Sequence, residues 1–130
     1  MDNGKVANNE KSDGRAIIEV NRSDANARGL SDKMLVKVFN DRGSCLAVLK
    51  ISENIREGVV NIPTGAWLDP SKSDALSCVH GNPNVLTLDA GTSKLAQGPS
   101  SHTCLVEIEQ FKKEPPKIRA FDPPEIIKSK

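Results

Sequence analysis

The chain has 130 residues, 18 of them basic and 17 acidic, for a net charge of +1. That length fits one domain able to bury about two-thirds of the surface its unfolded chain would expose. The balanced, dispersed charge forms no basic stripe for a phosphate backbone, so nucleic acid is not an expected partner. No apolar run approaches the ~20 residues of a membrane-spanning helix, so no membrane insertion is expected, and "MDNGKVANNEKSDGR" lacks the hydrophobic segment of a secretory signal.

Residues 1–15 carry two glycines, three asparagines and no apolar period, which reads as a flexible N-terminal arm. The domain proper is expected over residues 16–127. It opens on "AIIEVN", whose β-branched richness favours a strand. In "RSDANARGLSD" Ser23 is the expected N-cap, Asp24 suits the first turn, Arg28 the last, and Gly29 the helix end. "MLVKVFN" places Met34, Val36 and Val38 on one face, and "CLAVLKI" is almost wholly apolar. Between them "NDRGS" is a turn in which Gly43 can take a positive φ, so the two segments read as a hairpin.

"SENIREG" suggests a tight helical turn ending on Gly58, and "VVNIP" a short strand stopped by Pro63. "TGAWLDPSKSDALSCV" reads as irregular, with Trp67 its one large apolar group and Asp69 and Asp74, like Asp89 further on, capping turns. In "TCLVEIEQF" Cys104, Val106 and Ile108 alternate with Leu105, Glu107 and Glu109, a strand signal, and the tail "KKEPPKIRAFDPPEIIKSK" has two Pro-Pro pairs that favour an extended, docked segment. Many short strands and close-spaced turns make the chain mainly β, a small barrel in preference to an open sheet.

Chemistry is sparse. Cys45, Cys78 and Cys104 are odd in number with no C-x-x-C pair, and read as buried free thiols. His80 and His102 are too few for a three-histidine metal site, and Ser100, Ser101 and His102 adjoin without a G-x-S-x-G elbow. Neither phosphate-cradling glycine motif occurs. What remains is "HGNPNVLTLDAGTSKLAQG", residues 80–98, with little apolar content and many neutral hydrogen-bonding groups, among them Gly81, Asn82, Asn84, Thr87, Thr92 and Gln97. Such groups suit a ligand rich in heteroatoms, and a plain surface loop has the same composition.

The order of the pieces decides further. "VNRSDANARGLSDKMLVKVFNDRGSCLA", "REGVVNIPTGAW", "HGNPNVLTLDAGTSKLAQG", "VEIEQF" and "RAFDPPEI" together resemble the C-terminal cofactor-binding domain of the dimethyl sulfoxide reductase family of molybdenum enzymes, in particular the biotin sulfoxide and trimethylamine N-oxide reductases. The resemblance covers about residues 1–127. It implies a double-psi β-barrel of six strands, here lacking the first, since the family domain usually begins upstream with a strand and a histidine-containing segment. It also implies the cofactor bis(molybdopterin guanine dinucleotide) with molybdenum, shared with the remaining catalytic domains of a reductase of S- or N-oxides. Asn84 is then the expected pterin contact, Ser101 and His102 fall where the family places polar contacts, and Trp67, Arg42, His80, Thr87 and Gln97 supply walls or loop-fixing hydrogen bonds. Trp67 as a core plug and Arg42 as a turn bracket are the rival readings. Lys33 and Met34 stand where the family tends to place Gly-Asp, and Glu57 where it has proline. The implied chain is not catalytic alone; the alternative is a truncated domain that folds without ligand or activity.

Overall fold

The structure, a computed structural model, describes residues 4–98, 100, 104–124, 126 and 127. Six strands form one sheet: β1 (Ile17–Val20), β2 (Leu35–Phe39), β3 (Ser44–Ile51), β4 (Val60–Asn61), β5 (Ser77–Cys78) and β6 (Glu107–Gln110). The path runs β4-β1-β3-β2-β6, with β5 added to β3. The expected hairpin is present: β2 lies antiparallel to β3 with Leu35 opposite Val48 and Phe39 opposite Ser44. β1 pairs parallel with the far half of β3, Ile17 opposite Val48, while β5 pairs parallel with its start.

Period-two alternation explains the core. Ile18 and Val20, Val36 and Val38, Cys45, Ala47 and Leu49, and Ile108 are all buried in one cluster, and Met34 packs against it. Ser44, Leu46 and Val48 are buried as well, so β3 is covered on both faces, which is why its sequence is continuously apolar where β2 alternates. The path ends at β4 and β6, and an open cleft of about 420 Å³ is lined by Val60 of β4, Glu107 and Ile108 of β6, and the adjoining Val59 and Val106. The sheet is therefore curled like half a barrel, in line with the mainly β reading. The expected nine-residue strand at 103–111 is only four residues long, but the expected face holds: Ile108 is buried in the core and Cys104 and Val106 pack against it. A cystine is absent among the described residues: Cys45 and Cys78 are buried thiols and Cys104 is half-buried.

Several local expectations need correction. The helix α2 (Arg22–Ala27) is capped by Asn21, not Ser23: the Asn21 side chain accepts from the Ser23 N–H, and its amide donates to Ile55 O at 2.8 Å. Arg28 closes α2 and pairs with Glu107 at 2.6 Å, which holds the Glu107 carboxyl below its ordinary range, the Ile108 N–H helping. Residues 52–58 make turns without a helix; Gly58 ends them at φ 74° and donates to Asp24 at 2.7 Å. Lys33 adopts φ 63° itself, so the turn that lacks the usual glycine forms at a backbone cost of about 1 kcal/mol. In the stretch read as an arm there is a short helix, α1 (Lys5–Asn9), and Arg15 is buried with its guanidinium on Val79 O and Pro116 O. No apolar period announces α1, because it buries no residue.

Burial pushes the Cys45 thiol up to about 12, the neighbouring Cys78 and Cys104 adding to the effect. We expect Cys104 to react with a thiol reagent at pH 8 in the folded chain while Cys45 stays unlabelled until denaturant is added. Mass spectrometry after timed labelling checks this; equal rates at the two positions would contradict the packing.

Candidate functional site

The site is built on the segment that begins at His80. Asn82 caps a short 3-10 helix, η1 (Pro83–Val85): its side chain accepts from the Asn84 N–H at 2.9 Å, and Pro83 at the first position has the required φ already set. Leu86 closes the turn by donating to Pro83 O at 2.9 Å and is itself buried in the core. Thr87 donates from Oγ1 to Asn84 O at 3.1 Å. The turn is thus a compact knob with one apolar anchor.

The β2–β3 turn grips this knob. Asn40 Nδ2 and Arg42 Nε both donate to Leu86 O at 2.8 Å, and Asn40 Nδ2 reaches Leu105 O at 3.1 Å. Gly43 has no positive φ; it is needed for space, since a Cβ there would lie 2.5 Å from Leu76 O and 2.7 Å from Val85 O. At the knob's entrance Cys78 Sγ accepts from Asn82 N at 3.4 Å, and Gly81 takes φ 102° against Ala16. Gly81 is therefore buried, and the Asn82 side-chain oxygen is used internally, which removes both from the set of groups open to a ligand.

Asn84 differs from its neighbours. Its side chain is exposed, and its carboxamide has no hydrogen-bond partner among the described residues. Arg42 and Thr87 are joined to it through the Leu86 and Asn84 carbonyls, so these three predicted residues form one unit. Arg42 brackets the hairpin turn and fixes the loop at once. His80 and Trp67 form a second group: His80 is fully buried with Nδ1 3.0 Å from Trp67 O, and both rings pack on Phe121 at 5.2 Å between centroids. Trp67 is half-exposed, so it is not a core plug. Gln97 belongs to neither group. It lies in an exposed, self-bonded turn where Thr92 N donates to Gly98 O at 2.9 Å and Gln97 Nε2 to Ser93 O at 3.0 Å. Ser101 and His102 lie outside the described residues.

Asp74 caps a turn as expected, accepting from Leu76 N at 2.9 Å, whereas Asp69 does something else. It is buried and accepts the backbone N–H groups of Arg119 and Ala120, fifty residues away. A groove of about 1270 Å³ lies beside β6 and residues 112–116 and is lined by none of the candidate residues. Residues 82–87 present neutral hydrogen-bonding groups, and none of these six is an acid or a base. Asn40 and Phe121 were not singled out from sequence, and of these only Asn40 had a local signal, the turn string "NDRG"; Gly81 was read as a group open to a ligand and Asp69 as a turn cap.

The structure is thus a mainly β domain presenting a hydrogen-bonded polar loop, the outline of a binding domain. Comparison with known families matches residues 1–105 to the "Molydopterin dinucleotide binding domain", and the chain belongs to that family. It is 45% identical over 112 residues to a trimethylamine-N-oxide reductase of Vibrio cholerae, covering 85% of this chain and 14% of that protein. To a biotin sulfoxide reductase of Cereibacter sphaeroides it is 44% identical over 99 residues, covering 76% of this chain and 13% of the other. The chain thus spans about one-seventh of the length of these relatives. Among solved structures, acetylene hydratase from Pelobacter acetylenicus superposes with a TM-score of 0.52 at 17% identity, over 68% of this chain and 12% of that one, a likeness of fold.

Proposed function

We propose that this domain binds the guanine dinucleotide form of the cofactor, bis(molybdopterin guanine dinucleotide), within a molybdenum enzyme that reduces S- or N-oxides. The observation that carries the reading is Asn84: an exposed carboxamide with donors and an acceptor free of the described residues, on a turn held still by Leu86, Asn40 and Arg42. A pterin edge presents the complementary donors and acceptors, so the group present fits the ligand. Thr87 and Arg42 fix the turn, Trp67 supplies an apolar wall and His80 holds that wall in place. Gln97, Ser101 and His102 complete the polar contacts in this reading, and the curled sheet is the body of a double-psi barrel. When bound, the molybdenum centre supplies oxygen-atom transfer, and the remaining catalytic domains supply the rest of the cofactor's surroundings. The relatives' names support the S- or N-oxide class.

The test is titration of the labelled chain with the free cofactor, followed by amide NMR. The Asn84 side-chain resonances shift first, and Asn84→Ala weakens binding about tenfold, the loss of one net hydrogen bond or slightly more. A well-dispersed spectrum that the cofactor leaves unchanged would instead establish a domain that folds without this ligand.

A further inference from the structure

The described residues beyond β6 form no helix or strand, and they lie past the matched family region. This tail is nonetheless anchored at several points. Arg15, buried at the head of β1, donates from Nε to Val79 O at 3.1 Å and from Nη2 to Pro116 O. Asp69, 3% exposed, receives the Arg119 and Ala120 N–H groups, the latter at 3.0 Å, while Arg119 Nη2 donates to Pro70 O at 3.2 Å. These bonds set Phe121 edge-on against His80, tilted against Trp67, and under Lys11 Nζ at 5.0 Å. The same backbone that holds the tail holds the loop: Asp69 O accepts from Val79 N at 2.8 Å, and His80 O from Ala16 N at 3.3 Å. The tail therefore closes over the residue from which the Asn84 turn departs.

We infer that residues 116–121 form a strap that positions the 80–87 loop for its ligand, with Asp69 as the buckle and Phe121 as the contact that immobilises His80. Neither residue touches the ligand in this scheme; both act through His80 and Gly81. The part concerning the ligand rests on the proposed function, whereas the strap itself does not.

The experiment is amide hydrogen exchange on the full 130-residue chain, with Trp67, its one tryptophan, as a second probe. Asp69→Ala and Phe121→Ala are expected to quicken exchange at Asn82, Leu86 and Thr87 about tenfold while the β2 and β3 ladder amides keep their rates. In Asp69→Ala the Trp67 emission moves to the red as Phe121 departs. Asp69→Asn, which keeps an acceptor, and Phe121→Tyr, which keeps a ring without adding a second tryptophan, restore both signals; a merely global loss of stability would quicken the ladder amides too. If Asp69→Ala fails to fold, Phe121→Ala alone decides. Unchanged loop rates in a folded Phe121→Ala chain would overturn the strap. Faster loop rates in a chain that never binds the free cofactor would uphold the strap and reject the cofactor reading.

Discussion

Gly81→Ala lowers the stability of the chain by about 2–5 kcal/mol, enough to unfold a domain of ordinary stability at its weaker end. Two costs add. At φ 102° an alanine sits in a region that L-residues rarely adopt, and its Cβ would lie 2.6 Å from Ala16 Cβ, 3.1 Å from Leu46 O and 3.2 Å from Ala16 N. The last two are backbone atoms of β3 and of the approach to β1, so neither rotates away. Gly65 separates the two costs: its φ is 111° and a Cβ there meets nothing within 4 Å. Gly65→Ala should therefore cost only the backbone share, about 1 kcal/mol. Urea unfolding of both variants measures the difference. Equal midpoints would mean that the close approach of residue 81 to β1 does not exist.

What could be read in advance was what repeats locally. Val36 and Val38, Cys45, Ala47 and Leu49 announce their strands because neighbours two apart share a face. The hairpin between them followed, yet the reason for Gly43 did not: its constraint comes from Leu76 O and Val85 O, more than thirty residues on, and no window of sequence contains them. Asp69 was misread for the same reason, its partners at 119 and 120 being visible only once the tail is folded back. Ser23 and Asn21 are both good capping residues, and the choice fell to Asn21 because its amide also satisfies Ile55 O. The candidate site was legible to a comparable degree. The order of motifs pointed to the 80–98 loop, but its division into an anchored half and an exposed half is written in Leu86 and its carbonyl's two donors.

Those two donors lead to the second large effect, on Asn40→Ala. Besides donating to Leu86 O and Leu105 O, Asn40 accepts through Oδ1 from Arg42 N at 3.0 Å and Gly43 N at 3.4 Å, so one side chain ties the hairpin turn, the η1 turn and the approach to β6. Its removal leaves the Leu86 carbonyl with Arg42 alone and strips the other three groups of this partner. At about 1 kcal/mol per net hydrogen bond, with water replacing part of the loss at a half-buried position, the expected cost is about 2–4 kcal/mol. Arg42→Ala removes one such bond and should cost about 1 kcal/mol. Binding should respond differently from stability. Asn84→Ala deletes an exposed group whose loss changes stability by no more than about 0.5 kcal/mol, so on the proposed function it should weaken the cofactor complex while the urea midpoint stays nearly in place. Asn40→Ala moves both, because the turn that presents Asn84 is no longer held. Measuring midpoint and affinity for the two variants side by side separates a residue that contacts the ligand from one that holds the contact in place. An Asn40→Ala midpoint equal to that of the parent chain would remove the β2–β3 turn from the site.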